Sequence, residues 1–309
     1  MNKERRRWFR AGLQLKGSVV PAVLSRVILC GAFGFVVSSI QNLQNLGISV
    51  AMPLWSGLIL NIILGLLLIF RTNTACERFQ EGRKSWGHLV NTVRNLARQI
   101  LVSVKENEPI DRVKKVETLR LLVAFAVSTK LHLREEPVNN ELELLLSPDR
   151  YLKLQSTDNP PLQVALWIGD YLQKQYERKC LSSYQLASLQ KLLDIMVNSL
   201  GACERIIKTP IPIVYGIPLK PLLLIYCLLL PSQLVSSFQW STGFIVALVS
   251  FTVLGIDEIG GEMENPFGHD SNDLPLDANC ATMLRNIEEL VALAPSVRDV
   301  PEFDVSWRY

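Results

Sequence analysis

Charge is nearly missing from two long stretches of this 309-residue sequence. From Val19 to Phe70 the only charged residue is Arg26, and from Thr209 to Ile256 it is Lys220, so 30 of the 32 Lys and Arg and all 29 acids lie elsewhere. Such segregation excludes a soluble globule with charge scattered over its surface. The six cysteines, Cys30, Cys76, Cys180, Cys203, Cys227 and Cys280, include no CxxC pair, and two fall inside the charge-poor blocks. Neither a disulfide framework nor a zinc site is indicated, and buried thiols are expected. Histidine is scarce: His88, His132 and His269 are the full set. No nucleophile elbow, phosphate loop or acid–base pair stands out, and His269 beside Asp270 lacks the further ligands of an HD-type hydrolase, so no enzyme is expected. A net charge of +3 is too small to signal nucleic acid.

What is present is apolar length. Each charge-poor block runs to about 50 residues, twice the roughly 20 a helix needs to cross the hydrocarbon core, and reads as a helical hairpin. The first gives spans over 22–40 and 54–70, the second over 211–231 and 234–256. Pro212, Pro218, Pro221 and Pro231 interrupt the third span, and proline at membrane depth is tolerated where protein or a wet cavity satisfies the freed carbonyls. Both hairpin turns, 41–53 and 231–239, are uncharged, whereas the N-terminus opens NKERRRWFR and residues 71–208 are rich in Lys and Arg. The positive-inside rule therefore places 1–18, 71–208 and the C-terminal segment 257–309 in the cytoplasm. A cleaved leader is disfavoured by its overlong charged start and by Arg26 within the apolar stretch.

The cytoplasmic middle, 88–208, is helical by its three-to-four apolar spacing, with NEPID, SPD and NPP as turns. No breaker separates NIILGLLLIF from RTNTACERFQEGRKSWG, so the second span runs on as a cytoplasmic helix over 71–87. Because that helix leaves the membrane unbroken, one mixed unit over 1–309 with a shared core is expected. Ile62, Leu66 and Phe70 form a stripe on one face, continued by Asn73, Glu77 and Lys84. That stripe either packs on a neighbouring span or lines a pore that is narrow and apolar above, wide and charged below.

FRTNTACERFQEGRKSWG, CERIIKTPIPIVY and above all ENPFGHDSNDLPL resemble the bestrophin channels, with the order of motifs kept over nearly the whole chain. The resemblance implies an all-α membrane protein, a homopentamer with four spans per subunit and one axial ion pathway lined by the second helix. It also implies that Ile62, Leu66 and Phe70 are the pore neck. Five helices spaced about 10 Å apart leave an opening of roughly 3.5 Å radius, which bulky side chains would narrow to about the size of an ion. Apolar rings offer no ligands to a dehydrated ion and suit gating by dewetting. A second, cytosolic aperture would fall at Tyr184 to Ala187, where an ordinary amphipathic helix is the competing reading.

In animal bestrophins the loop matching ENPFGHDSNDLPL is a calcium clasp, and Asn265, Asp270 and Asp273 fall on its ligand positions. Glu262 replaces an amide, while His269, Ser271 and Asn272 thin the acidic run, which lowers the expected affinity for Ca2+. From the residues alone, a capped turn explains the same pattern. Chloride or a similar small anion, bicarbonate included, is the expected permeant ion. Cation conduction is the runner-up, because Leu66 stands where the animal pattern has an aromatic whose ring edge favours anions. A non-conducting membrane scaffold is the third reading. Membrane lipids and further copies of the chain are the expected partners, in a bacterial inner membrane or a thylakoid.

Overall fold

The computed structural model describes residues 18–42, 55–209 and 219–293, apart from the side chains of residue 42 and residues 55–60. Among these residues every regular element is helical. The expected hairpin turn at 41–53, the N-terminus before Ser18 and the start of the third span lie almost wholly outside them.

Helix α1 runs Val20–Asn42, matching the first expected span with two residues added at each end. Helix α2 runs Trp55–Ser103 without interruption, 49 residues or about 73 Å at 1.5 Å per residue, sixteen residues past the expected end at 87. There follow α3 Pro109–Leu133, α4 Asn140–Glu143, α5 Pro148–Gln155, α6 Pro160–Glu177, α7 Ser183–Lys208, α8 Leu219–Phe238, α9 Thr242–Glu262 and α10 Leu276–Leu293.

The turn between the third and fourth spans falls at the end of its expected range. Helix α8 continues through Pro231 to Phe238, and the reversal is made by a short 3-10 turn at Gln239–Ser241. Gln239 takes the left-handed φ of 44° there, and the Ser38 hydroxyl of α1 donates to its carbonyl at 2.6 Å. Proline did not end the helix because it removes only its own N–H, and Pro231 is buried against packed neighbours. Among the described residues two stretches are apolar and long enough to cross a membrane: Val20–Gln41, and Leu219–Glu262, which contains both α8 and α9.

The chain forms two compact units, each assembled from separated segments: 1–80 with 209–273, and 81–208 with 274–309. In the first, Val23, Val27 and Cys30 of α1, Leu64 and Leu68 of α2, Leu223 and Cys227 of α8 and Val246 of α9 form an apolar core. Helices α1 and α9 cross on small residues. A Cβ on Gly34 would lie 3.0 Å from the Gly243 Cα, and one on Gly243 would lie 2.5 Å from the Phe35 ring. Phe35 in turn meets Phe244 edge-to-face at 5.0 Å.

In the second unit α3 is the central rod, with all of Leu121 to Leu131 buried, and α6 and α10 pack against it. Its start is fixed by Pro109 in the first turn and by Asp111 Oδ2, which accepts from the Asn107 and Glu108 amides at 3.0 Å each. Helix α6 begins the same way, with Pro160 and Pro161 in its first turn and Asn159 accepting from the Leu162 amide at 3.2 Å.

Candidate functional site

At 100° per residue, Ile62, Leu66, Phe70, Asn73, Glu77 and Lys84 all fall within about 40° of one line along α2. All six are exposed in the chain; Ile62 is 64%, Leu66 51% and Phe70 59% accessible. The opposite side, through Leu64, Leu68, Arg71 and Ala75, is buried. Among the described residues, therefore, the apolar stripe does not pack on a neighbouring span. It spans about 12 Å of helix and turns polar within one turn of Phe70.

The buried side carries two anchors that sequence reading missed. Arg71, adjacent to Phe70, is ion-paired with Asp257 of α9, both side chains under a tenth exposed. Gly260 and Gly261 of α9 lie beside its guanidinium, where a Cβ would make ordinary contact at 3.8 and 4.0 Å. Arg78 donates to the Thr209 carbonyl and, at 3.3 Å, to the Glu264 carbonyl, tying α2 to the ends of the CERIIKT and ENPFG motifs. Arg26, the lone charge of the first block, lies 3.7 Å from Glu258. The sequence does hold a signal for the first anchor: each charge-poor block is followed at once by a charge, Arg71 and Asp257, of opposite sign.

The loop after α9 is closed on itself. Asn265 Oδ1 accepts from the Phe267 amide at 3.3 Å, Asp273 Oδ2 accepts from the Asp270 amide at 2.8 Å, and the Asn272 amide group donates to Glu262 at 2.8 Å. A Cβ on Gly268 would sit 2.7 Å from Asp273 Oδ2 and would displace that carboxylate from the Asp270 amide. Phe267 is fully buried and pins the loop. Among the described residues no three His, Cys, Asp or Glu converge as metal ligands. Asn265, Asp273 and Glu262 thus each spend one oxygen on a hydrogen bond within the turn, as capping requires, while Asp273 Oδ1 is buried beside them.

Tyr184 and Ala187, the expected aperture, both lie exposed in the first turns of α7, Tyr184 at 89%. In the same unit Lys130, 1% exposed, donates to Glu141 at 2.7 Å and to Asp277 at 2.8 Å, and Arg134 donates to Asp277 at 3.0 Å. Burial alone would lower the Lys130 pKa, but the hydrogen bonds with Asp277 and Glu141 hold it above its ordinary value; the Lys130 hydrogen bond holds Asp277 below its own. Burial pushes the Cys203 and Cys280 thiols up to about 12, in keeping with the inert buried cysteines expected.

A membrane-length helical hairpin and a long helix with one exposed face, apolar and then polar, are the features of a helical membrane protein. A family model described as "Bacterial/Fungal Bestrophin protein" matches residues 1–289. A voltage-dependent anion channel-forming protein of Nostoc sp. is 58% identical over 298 residues, 96% of each chain. One of Synechocystis sp. is 50% identical over 288 residues, 93% of each. A bacterial bestrophin homologue from Klebsiella pneumoniae has a crystal structure with TM-score 0.80 at 30% identity, covering 87% of this chain and 98% of that one. The chain belongs to the bacterial and fungal bestrophin family. As such it is an integral membrane protein, and the family and its named relatives are channels rather than enzymes.

Proposed function

We propose that this chain forms a pentameric anion channel whose single axial pathway is lined by one α2 from each subunit. The observation that carries the reading is the exposed face of α2, apolar at Ile62, Leu66 and Phe70 and polar at Asn73, Glu77 and Lys84. A surface that is half apolar and half charged, on a helix with no break, has no use against lipid along its whole length. Around a fivefold axis it becomes a neck above a wet vestibule. The anion channel-forming relatives from Nostoc and Synechocystis, half or more identical over nearly the full chain, support the choice of anions.

The neck gates by dewetting, since three apolar rings give a bare ion nothing in exchange for its hydration shell. Four spans per subunit, with both termini cytoplasmic, follow from the two apolar blocks and the placement of Lys and Arg. Tyr184 and Ala187 form the narrower cytosolic exit in this reading. Chloride and bicarbonate are the permeant ions, with cation conduction as the second reading on account of Leu66. In planar bilayers under a potassium chloride gradient, the purified chain should reverse near the chloride equilibrium potential. The triple variant Ile62→Ala, Leu66→Ala, Phe70→Ala should stay open at all voltages; unaltered gating and conductance in that variant would refute the neck.

A further inference from the structure

The charge-bearing half of α2 extends well past the region that the sequence pattern assigned to the pathway. From Gly82 to Lys105 there is no Asp or Glu, while Arg83, Lys84, Arg94, Arg98 and Lys105 are all present. Helix α2 continues to Ser103, and its exposed line continues with it through Lys84, His88, Asn91, Asn95 and Arg98. These positions recur at the spacing of the neck residues, again within about 40° of one line. Their opposite side, through Trp86, Leu89, Val93, Leu96 and Ile100, is buried.

Two basic side chains near this line do not contribute freely. Arg94 is turned toward α10, where the Asn286 amide, oriented so that its oxygen rather than its nitrogen faces the guanidinium, accepts from Nε and Nη2 at 3.1 and 3.2 Å. Arg205 is committed to Glu81 at 2.5 Å, which also neutralises that acid and leaves Glu77 as the one acid on the line below Phe70. Lys84 and Arg98 have no ion-pair partner among the described residues, and Asn91 and Asn95 add amide N–H donors between them.

We infer that Lys84, His88 and Arg98, interleaved with Asn91 and Asn95, form an anion-selecting column on the cytoplasmic half of α2, so that ion sign is chosen there and not at the apolar neck. The inference rests on the reading that the exposed face of α2 lines the pathway. A neck of Ile, Leu and Phe cannot discriminate sign by charge. A column of cationic and amide groups raises the local anion concentration and lowers that of cations, an effect that reaches ten- to a thousandfold in confined, low-dielectric surroundings. Lys84 and Arg98 are about 21 Å apart along the helix, more than twice the Debye length of roughly 8 Å at physiological salt, so the two act independently.

The test is the chloride-to-potassium permeability ratio from reversal potentials of the full-length protein in bilayers. Lys84→Glu and Arg98→Glu should each lower the ratio, their effects should multiply, and the double variant should lose roughly tenfold or more. The neutral pair Lys84→Gln, Arg98→Gln should move it in the same direction by less, which guards against misassembly of the charge reversals, while Arg98→Lys should restore it. The shifts should shrink in 1 M salt, where the Debye length is about 3 Å. Wild-type protein that passes no ions would overturn both the filter and the channel reading. Conducting double variants of both kinds with an unchanged ratio would overturn the filter alone.

Discussion

Buried charges in this chain separate residues that can be removed from residues whose partner must then be kept. Lys130 is enclosed, whereas its acceptors Glu141 and Asp277 are half exposed or more. Taking away both carboxylates leaves an ammonium in the core, so Glu141→Gln with Asp277→Asn should destabilise the second unit by about 3 kcal/mol or more. Lys130→Met instead returns two carboxylates to water and should cost under about 1 kcal/mol. Asp277, with a folded pKa below 3.8, contributes stability above that value that is lost as pH falls through the lower folded value. Lys130, with a folded pKa above 10.5, contributes stability below that value that is lost as pH rises through the higher one. Hydrogen-exchange protection factors of α10 amides in the intact chain, corrected for the intrinsic pH dependence of exchange, should accordingly stay flat between those limits and fall outside them.

The same logic makes Arg71 and Asp257 a site where Asp257→Asn should be worse for assembly than Asp257 and Arg71 exchanged together for Leu. Thermal unfolding in detergent would rank the two. Residue-level periodicity identified the stripe from Ile62 to Lys84, but not its anchors. An ion pair 186 residues apart in sequence leaves only the faint trace of two opposite charges at two block ends.

Elements were legible where a period or a breaker controlled them. Helix α1 came within two residues at each end, and α3, α6 and α7 lie where three-to-four spacing placed them. The turn after α8 falls at the end of its expected range because a packed helix tolerates the one donor that Pro231 lacks, and the reversal is set by the left-handed Gln239. Close crossings of α1 and α9 were invisible, since a glycine in an apolar run carries no mark of what it touches. Gly34→Ala brings a methyl to 3.0 Å from the Gly243 backbone, whereas Gly243→Ala overlaps the Phe35 ring at 2.5–2.6 Å, Cγ included, and must break its edge-to-face contact with Phe244. Gly243→Ala should therefore reduce the yield of assembled protein more than Gly34→Ala, as measured by size-exclusion chromatography in detergent. The motif ENPFG was legible as a turn, and Asn265 and Asp273 accept from the Phe267 and Asp270 amides there, as Asx residues in turns do.

At the scale of the molecule the chain divides its labour. One unit holds α1, α8, α9 and the first part of α2, the other holds the central rod α3 and the basic half of α2, and a single helix carries residues of both. Contacts cluster within each unit, which a helix followed along the sequence does not reveal. Family membership accounts for the membrane and the class of protein, and the proposed ion pathway rests on the exposed face of α2.

Attack by a water-soluble thiol reagent on single cysteines along α2 tests this most directly, in a Cys76→Ser background because Cys76 is the one half-exposed native thiol among otherwise buried ones. Cysteines at 66, 70, 73, 77, 84, 88 and 98 should react in open channels and change the current, and those at 64, 68 and 75 should not. Current unaffected at every exposed-face position, or altered equally at the buried ones, would contradict a pathway along this helix.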